Sequence, residues 1–161
     1  MGLDMYLKAE KYISGYDHNP KEERCRFEDV LKASGLAGQQ MPGTPSITID
    51  LVVGYWRKAN AIHNWFVTNV QDGNDECQDS HVSREQLEEL LSLCRDVLET
   101  RDATRLPPSD GFFFGGIEID DGYWADIRNT IEILSRVLTV DKLNDMVDGL
   151  GGCDFKYHAS W

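Results

Sequence analysis

A chain of 161 residues is long enough for one ordinary domain, which buries roughly two-thirds of the surface its unfolded form exposes. Hydrophobic residues make up 41% and charged residues 27%, and no stretch approaches the ~20 consecutive apolar residues of a membrane span, so the composition predicts a globular protein outside the membrane. The net charge of −12 disfavours nucleic acid and anionic lipid as direct partners.

That charge is unevenly placed. Residues 1–71 hold eight acids and eight bases, which cancel; residues 72–161 hold the other 20 acids against 8 bases. Met1-Gly2-Leu3-Asp4 has neither the basic start nor the apolar run of a signal peptide, which predicts a cytoplasmic protein. The cysteines Cys25, Cys77, Cys94 and Cys153 stand far apart without a C-x-x-C pair. Cys25 and Cys94 fall inside helical patterns, and together these predict free thiols in a reducing compartment.

In chain order, Leu3, Met5, Leu7 and Ala9 alternate with polar residues, the pattern of a half-buried strand running to about Ile13. Ser14 to Pro20 supplies a loop. Pro20 then opens a helix whose Cys25, Phe27, Val30 and Leu31 share a stripe and which ends at Gly35. The glycine- and proline-rich run Gly35 to Pro45 reads as a surface loop. Ser46 to Val53 is β-branched and almost continuously apolar, which predicts a strand covered on both faces and central in its sheet.

Gly54 to Gln71 is predicted as one helix entered directly from that strand, with Ala59, Ile62, His63, Phe66 and Val70 on its buried face and Arg57, Asn60, Asn64 and Thr68 largely on the other. Gln71 to His81 is an acidic loop. Ser83 and Gln86 form a capping box ahead of the stripe Leu87, Leu90, Leu91, Cys94, Val97 and Leu98. Leu106 to Asp110 stops that helix, and Gly111 to Ile119 (GFFFGGIEI) suggests a strand with a bulge or a close backbone approach. A helix from Asp120–Asp121 carries Trp124, Ile127, Ile131, Leu134, Val137 and Leu138; Leu143 to Leu150 adds a short further helix, and Cys153 to Trp161 a final strand. The sum is a single α+β domain over 1–161, roughly a four-stranded sheet packed with four or five helices.

No chemical motif is complete. The loop Asp72, Asn74, Glu76, Gln78 imitates a calcium loop but has Cys77 and Ser83 where the glycine and the closing glutamate belong. Cys77 and His81 are a single ligand pair where structural zinc needs two, so neither metal nor cofactor is predicted. Asp120, Asp121 and Asp126, beside Tyr123 and Trp124, have the composition of a carboxylate pair, yet aspartates at a helix start also cap its amides. His63 fits a hydrogen-bonded core position, and no nucleophile elbow is present, so no catalytic residue is assigned.

The segments GLDMYLKAEKYISGYD, YWRKANAIHNWFVTNVQDG, LPPSDGFFFGG and DFKYHASW together resemble a family of small uncharacterised proteins encoded by bacteriophages and prophages. The resemblance covers nearly the whole chain, apart from Gly35 to Pro45 and Val140 to Gly152, and its specific part is the long helix motif. It implies a phage gene expressed in a bacterial cytoplasm, and such small acidic proteins often occupy host machinery that handles nucleic acid, as anti-CRISPR or other anti-defence inhibitors do. Under that reading the partner is a host protein or nucleoprotein complex with a basic surface, met by Asp72, Asp75, Glu76, Asp79, Glu85, Glu88, Glu89, Asp120 and Asp121. A second reading is a small-ligand or nucleotide binder, or an enzyme, with a pocket around Tyr55, Arg57, Asn60 and His63. A third is a structural part of a virion.

Overall fold

In the computed structural model, which describes residues 2–111, 114–146 and 152–161, the N-terminal alternation becomes strand β1 (Asp4–Ser14). Leu3, Met5 and Leu7 are fully buried, while Asp4, Tyr6 and Lys8 between them are only partly covered. β2 (Ser46–Arg57), β3 (Ser80–Val82) and β4 (Asp154–Ser160) complete an antiparallel sheet in the order β2-β1-β4-β3. Ser80 lies opposite Tyr157, His81 opposite Lys156 and Val82 opposite Phe155. With helices α1 (Lys21–Ala33), α2 (Asn60–Asn69), α3 (Arg84–Thr100) and α4 (Asp121–Met146), the described residues have the expected α+β class, four strands and four helices. None of these helices is long and apolar enough to cross a membrane.

The chain groups into two compact units, Glu10–Leu51 and the discontinuous set Met1–Ala9 with Val52–Trp161; it passes from one to the other within β1 and within β2. In the larger unit one sheet face is apolar: Leu3, Met5, Leu7, Trp56, Val82, Phe155, Tyr157 and Ala159 are buried there. They share a core with Ile62 and Phe66 of α2, Leu87, Leu90 and Val97 of α3, and Ile127 and Leu134 of α4. Each leucine, isoleucine, valine, methionine and phenylalanine among them contributes roughly 1.5–3 kcal/mol by leaving water. The Trp56 indole donates to Thr130 Oγ1 at 2.9 Å, satisfying both groups where β2 meets α4. Gly54 permits that approach, since a Cβ there would lie 2.8 Å from Ile133 Cγ2.

α3 begins with the predicted capping box: Gln86 N–H donates to Ser83 Oγ at 3.1 Å and Ser83 N–H to Gln86 Oε1 at 2.9 Å. It ends at Arg101, whose left-handed conformation (φ 56°) turns the chain and whose guanidinium lies 4.6 Å from the Trp124 ring. The smaller unit has its own modest core of Ile13, Phe27 and Leu31, with Val30 and Ile47 against it.

Several local expectations are corrected. The Gly54–Gln71 helix begins only at Asn60: Tyr55, Trp56 and Arg57 belong to β2, where Gly54 and Trp56 point inward and Tyr55 and Arg57 outward. β2 is an edge strand, not a central one, and its Ile49, Leu51 and Val52 are exposed. A run of apolar residues reports β-propensity here and not coverage of both faces. Gly111 and Phe114–Ile119 form no strand; Phe114 N–H closes a turn on Gly111 O at 3.0 Å, and Phe112 and Phe113 lie outside the described residues. β3 stands where a loop was expected, because three residues are too few to show alternation and are ordered by pairing with β4. α4 continues unbroken from Asp121 to Met146, absorbing the start of the predicted short helix, whose residues 147–150 lie outside the described ones. Cys25 is exposed and Asn60 buried, each the reverse of its expected face.

Candidate functional site

The strand-to-helix junction builds one wall of a cleft. β2 stops at Arg57 and Lys58 takes a left-handed conformation (φ 57°), held by its N–H on Leu3 O at 2.8 Å. A lysine in that region costs of order 1 kcal/mol, strain of a kind found most often at functional sites. The turn delivers the chain into α2, whose N-cap, Ala59, has no side-chain acceptor and whose first turn has no acid. The positive end of the helix dipole is therefore left uncompensated by the helix itself.

Around that end lies a cavity of about 460 Å³, lined by Arg57, Lys58, Asn60, Ala61 and Ile62, by Gly115, Gly116 and Glu118, and by Asp120, Tyr123, Asp126 and Ile127 at and just before the start of α4. Its volume falls in the range of small-molecule sites. Asn60 Nδ2 donates to Gly116 O at 2.8 Å, and Ser109 Oγ to Asn60 O at 3.4 Å, so the buried asparagine ties the loop to the helix. Tyr123 donates its hydroxyl to Leu106 O at 2.9 Å, and burial pushes its phenol up to about 12.

Part of the lining is acidic: Glu118, Asp120 and Asp126. Asp120 accepts from Tyr123 N–H at 3.1 Å, capping α4. Burial, with the Asp120 charge adding to it, pushes the Asp126 carboxyl up to about 6. Among the described residues neither Arg57 nor Lys58 forms an ion pair. The cleft is thus lined by two cations without ion pairs among the described residues, by the exposed carboxylates Glu118 and Asp120 and by the partly buried Asp126.

The four residues of the expected ligand pocket are divided. Arg57 and Asn60 line the cleft. Tyr55 is 44% exposed, its hydroxyl on Asp4 and its ring 5.3 Å from that of Tyr6. His63 is 1% exposed and wholly engaged: Nε2 donates to Asp75 Oδ2 at 3.0 Å, and Nδ1 meets the Tyr157 hydroxyl at 2.7 Å. A carboxylate can only accept, so Nε2 carries the hydrogen it shares with Asp75. Phe114 and Trp161 close around the imidazole edge-on at 4.9 and 5.7 Å. This is a structural core, with Tyr157 held protonated by its burial.

The nine carboxylates of the expected acidic surface sit on several elements. Asp72 and Glu76 are exposed in the loop after α2, and Asp75 is bound to His63. Asp79 pairs with Lys8 at 3.8 Å and with His158 at 3.0 Å. Glu85 and Glu89 are exposed on α3; Glu88 faces a groove of about 390 Å³ between α3 and α4 that also holds Arg84, Arg95 and Lys142. Asp120 is in the cleft, and Asp121 is the exposed first residue of α4. Cys77 and His81 are both exposed, and among the described residues no three His, Cys, Asp or Glu side chains gather as metal ligands. Glu118, Gly115 and Gly116 join the site unannounced; the visible signal was an acid beside paired glycines in a segment read as strand.

Comparison of the chain with protein-family models, with curated proteins and with solved structures found no match.

Proposed function

We propose that this chain binds a small polar ligand through an anionic group, seated in the cleft against Arg57, Lys58 and the amide end of α2. The supporting observation is that two cations without ion pairs among the described residues line, with an uncapped helix start, a cavity of about 460 Å³. Backbone amides at a helix start and fixed guanidinium or ammonium groups form a ready receptor for phosphate or carboxylate. The test is titration of inorganic phosphate followed by amide chemical shifts. Saturable shifts confined to residues 57–62 and 115–127, abolished by Arg57→Ala with Lys58→Ala, are expected; shifts that never saturate, or that survive the double substitution, refute the reading.

A second reading, an inhibitor that meets a basic host surface in a phage-infected bacterium, draws on Asp72, Glu76, Glu85, Glu89 and Asp121. These five are exposed and form no ion pair among the described residues. Its partner complex should weaken steeply with added salt, and reversing Glu85 and Glu89 to lysine should abolish it. A complex indifferent to both rules that reading out.

A further inference from the structure

Resting on the anion-binding reading of the same cleft, we propose that its ligand is amphoteric: an anionic group on Arg57 and Lys58, and a protonated amine on the Asp126 side. The reason lies in the acidic part of the lining. An anion alone entering this cavity meets Glu118, Asp120 and Asp126 as well as the two cations, and beside the partly buried Asp126 a second negative charge is repelled more strongly than it would be in water. Those carboxylates penalise a simple anion and reward a ligand whose other end is positive, the two-sided arrangement by which sites discriminate.

The acidic wall is not explained by the fold. Asp120 has a capping role, but the Asp126 carboxylate takes no hydrogen bond or ion pair from another described residue, although it is partly buried on α4. Burial first, and the Asp120 charge beside it second, raise its protonation range. A bound ammonium would give Asp126 a partner. Since Glu118, Asp120 and Asp126 do not gather as a metal-ligand set, an organic cation suits them better than a divalent ion.

The experiment is calorimetric titration of the full chain with aminoalkyl phosphates of increasing length, each against the alkyl phosphate and the alkylamine of equal length. In the wild-type chain the best aminoalkyl phosphate is expected to bind at least tenfold tighter than either control. In Asp126→Asn the advantage over the alkyl phosphate should vanish while the alkyl phosphate itself binds no more weakly; in Arg57→Ala both phosphates should lose affinity. Asp120→Asn gives a second reading of the same wall, and a cooperative thermal melt confirms that each variant folds. Equal binding of amine-bearing and plain phosphates, or an advantage unchanged in Asp126→Asn, overturns the amphoteric inference and leaves anion binding standing. Failure of both phosphates overturns the two together. If magnesium chloride tightens the plain phosphate to the level of the aminoalkyl one, the wall serves a metal and the inference falls.

Discussion

Asp126 and His63 show how differently two polar residues on neighbouring helices are treated. Asp126 is partly buried without a partner, so its proton binds more tightly in the folded chain than in the unfolded one, about 6 against 3.8. That contribution to stability is complete below about 3.8 and is lost as pH rises through about 6. Asparagine carries no charge at any pH. The melting temperature of Asp126→Asn relative to wild type should therefore be near zero difference in acid and grow to a positive plateau above neutrality, with Glu118, Asp120, Arg57 and Lys58 facing the site in both chains. A flat difference would mean that water reaches this carboxylate freely. His63, by contrast, satisfies Asp75 and Tyr157 at once. Truncating it to alanine leaves a cavity and strands a buried hydroxyl, a loss of about 2–4 kcal/mol in urea denaturation. Because His63 is not on the cleft wall, phosphate-induced shifts at residues 57–62 should persist in that variant below its melting range.

At the scale of elements, β2 and α3 make contrasting commitments. Ser83→Ala removes one half of a capping box and should cost about 1 kcal/mol, the usual worth of a side-chain cap. Gly54→Ala asks more, because a methyl group must fit where Ile133 Cγ2 stands at 2.8 Å and Leu7 Cβ at 3.2 Å. Overpacking of this kind costs about 1–3 kcal/mol, and pairing it with Ile133→Leu, which removes the Cγ2 branch from the crowded position at nearly constant volume, should recover part of that loss in the same denaturation assay. Absence of any recovery would show that strand distortion and not the α4 contact limits the site. The junction itself, with Lys58 left-handed between β2 and α2, places Arg57 and Lys58 in the lining of the cleft.

At the scale of the molecule, the two units have very different cores. Glu10–Leu51 rests on Ile13, Phe27 and Leu31, with Gly15 seated against the Phe27 ring; the larger unit buries side chains from four strands and three helices. Local stability follows such burial. Hydrogen exchange should be faster in α1 than in α3 and α4, and Phe27→Ala should accelerate α1 further while α3 and α4 keep their protection. Equal acceleration everywhere would show that the units unfold as one.

The amphipathic stripe of α3, its capping box, the alternation of β1 and β4 and the core placement of His63 were legible because each depends on residues close in sequence. Period and capping are local physics. What stayed hidden depended on distant partners: β3 exists by pairing with β4, and β2 is an edge because β1 lies between it and the rest of the sheet. The alternation of Gly54 to Arg57 was overridden by a helix-like pattern that begins just beyond it. The cleft belongs to this second group. Arg57 and Asn60 stood out by residue type, but their separation from Tyr55 and His63, and their meeting with Glu118 and Asp126 more than fifty residues away, follow from the fold bringing α2 and α4 together. Local sequence determined which segments curl or extend and which way their apolar faces turn; only long-range packing decided which charges look at one another, because Coulomb interaction depends on distance in space and not along the chain.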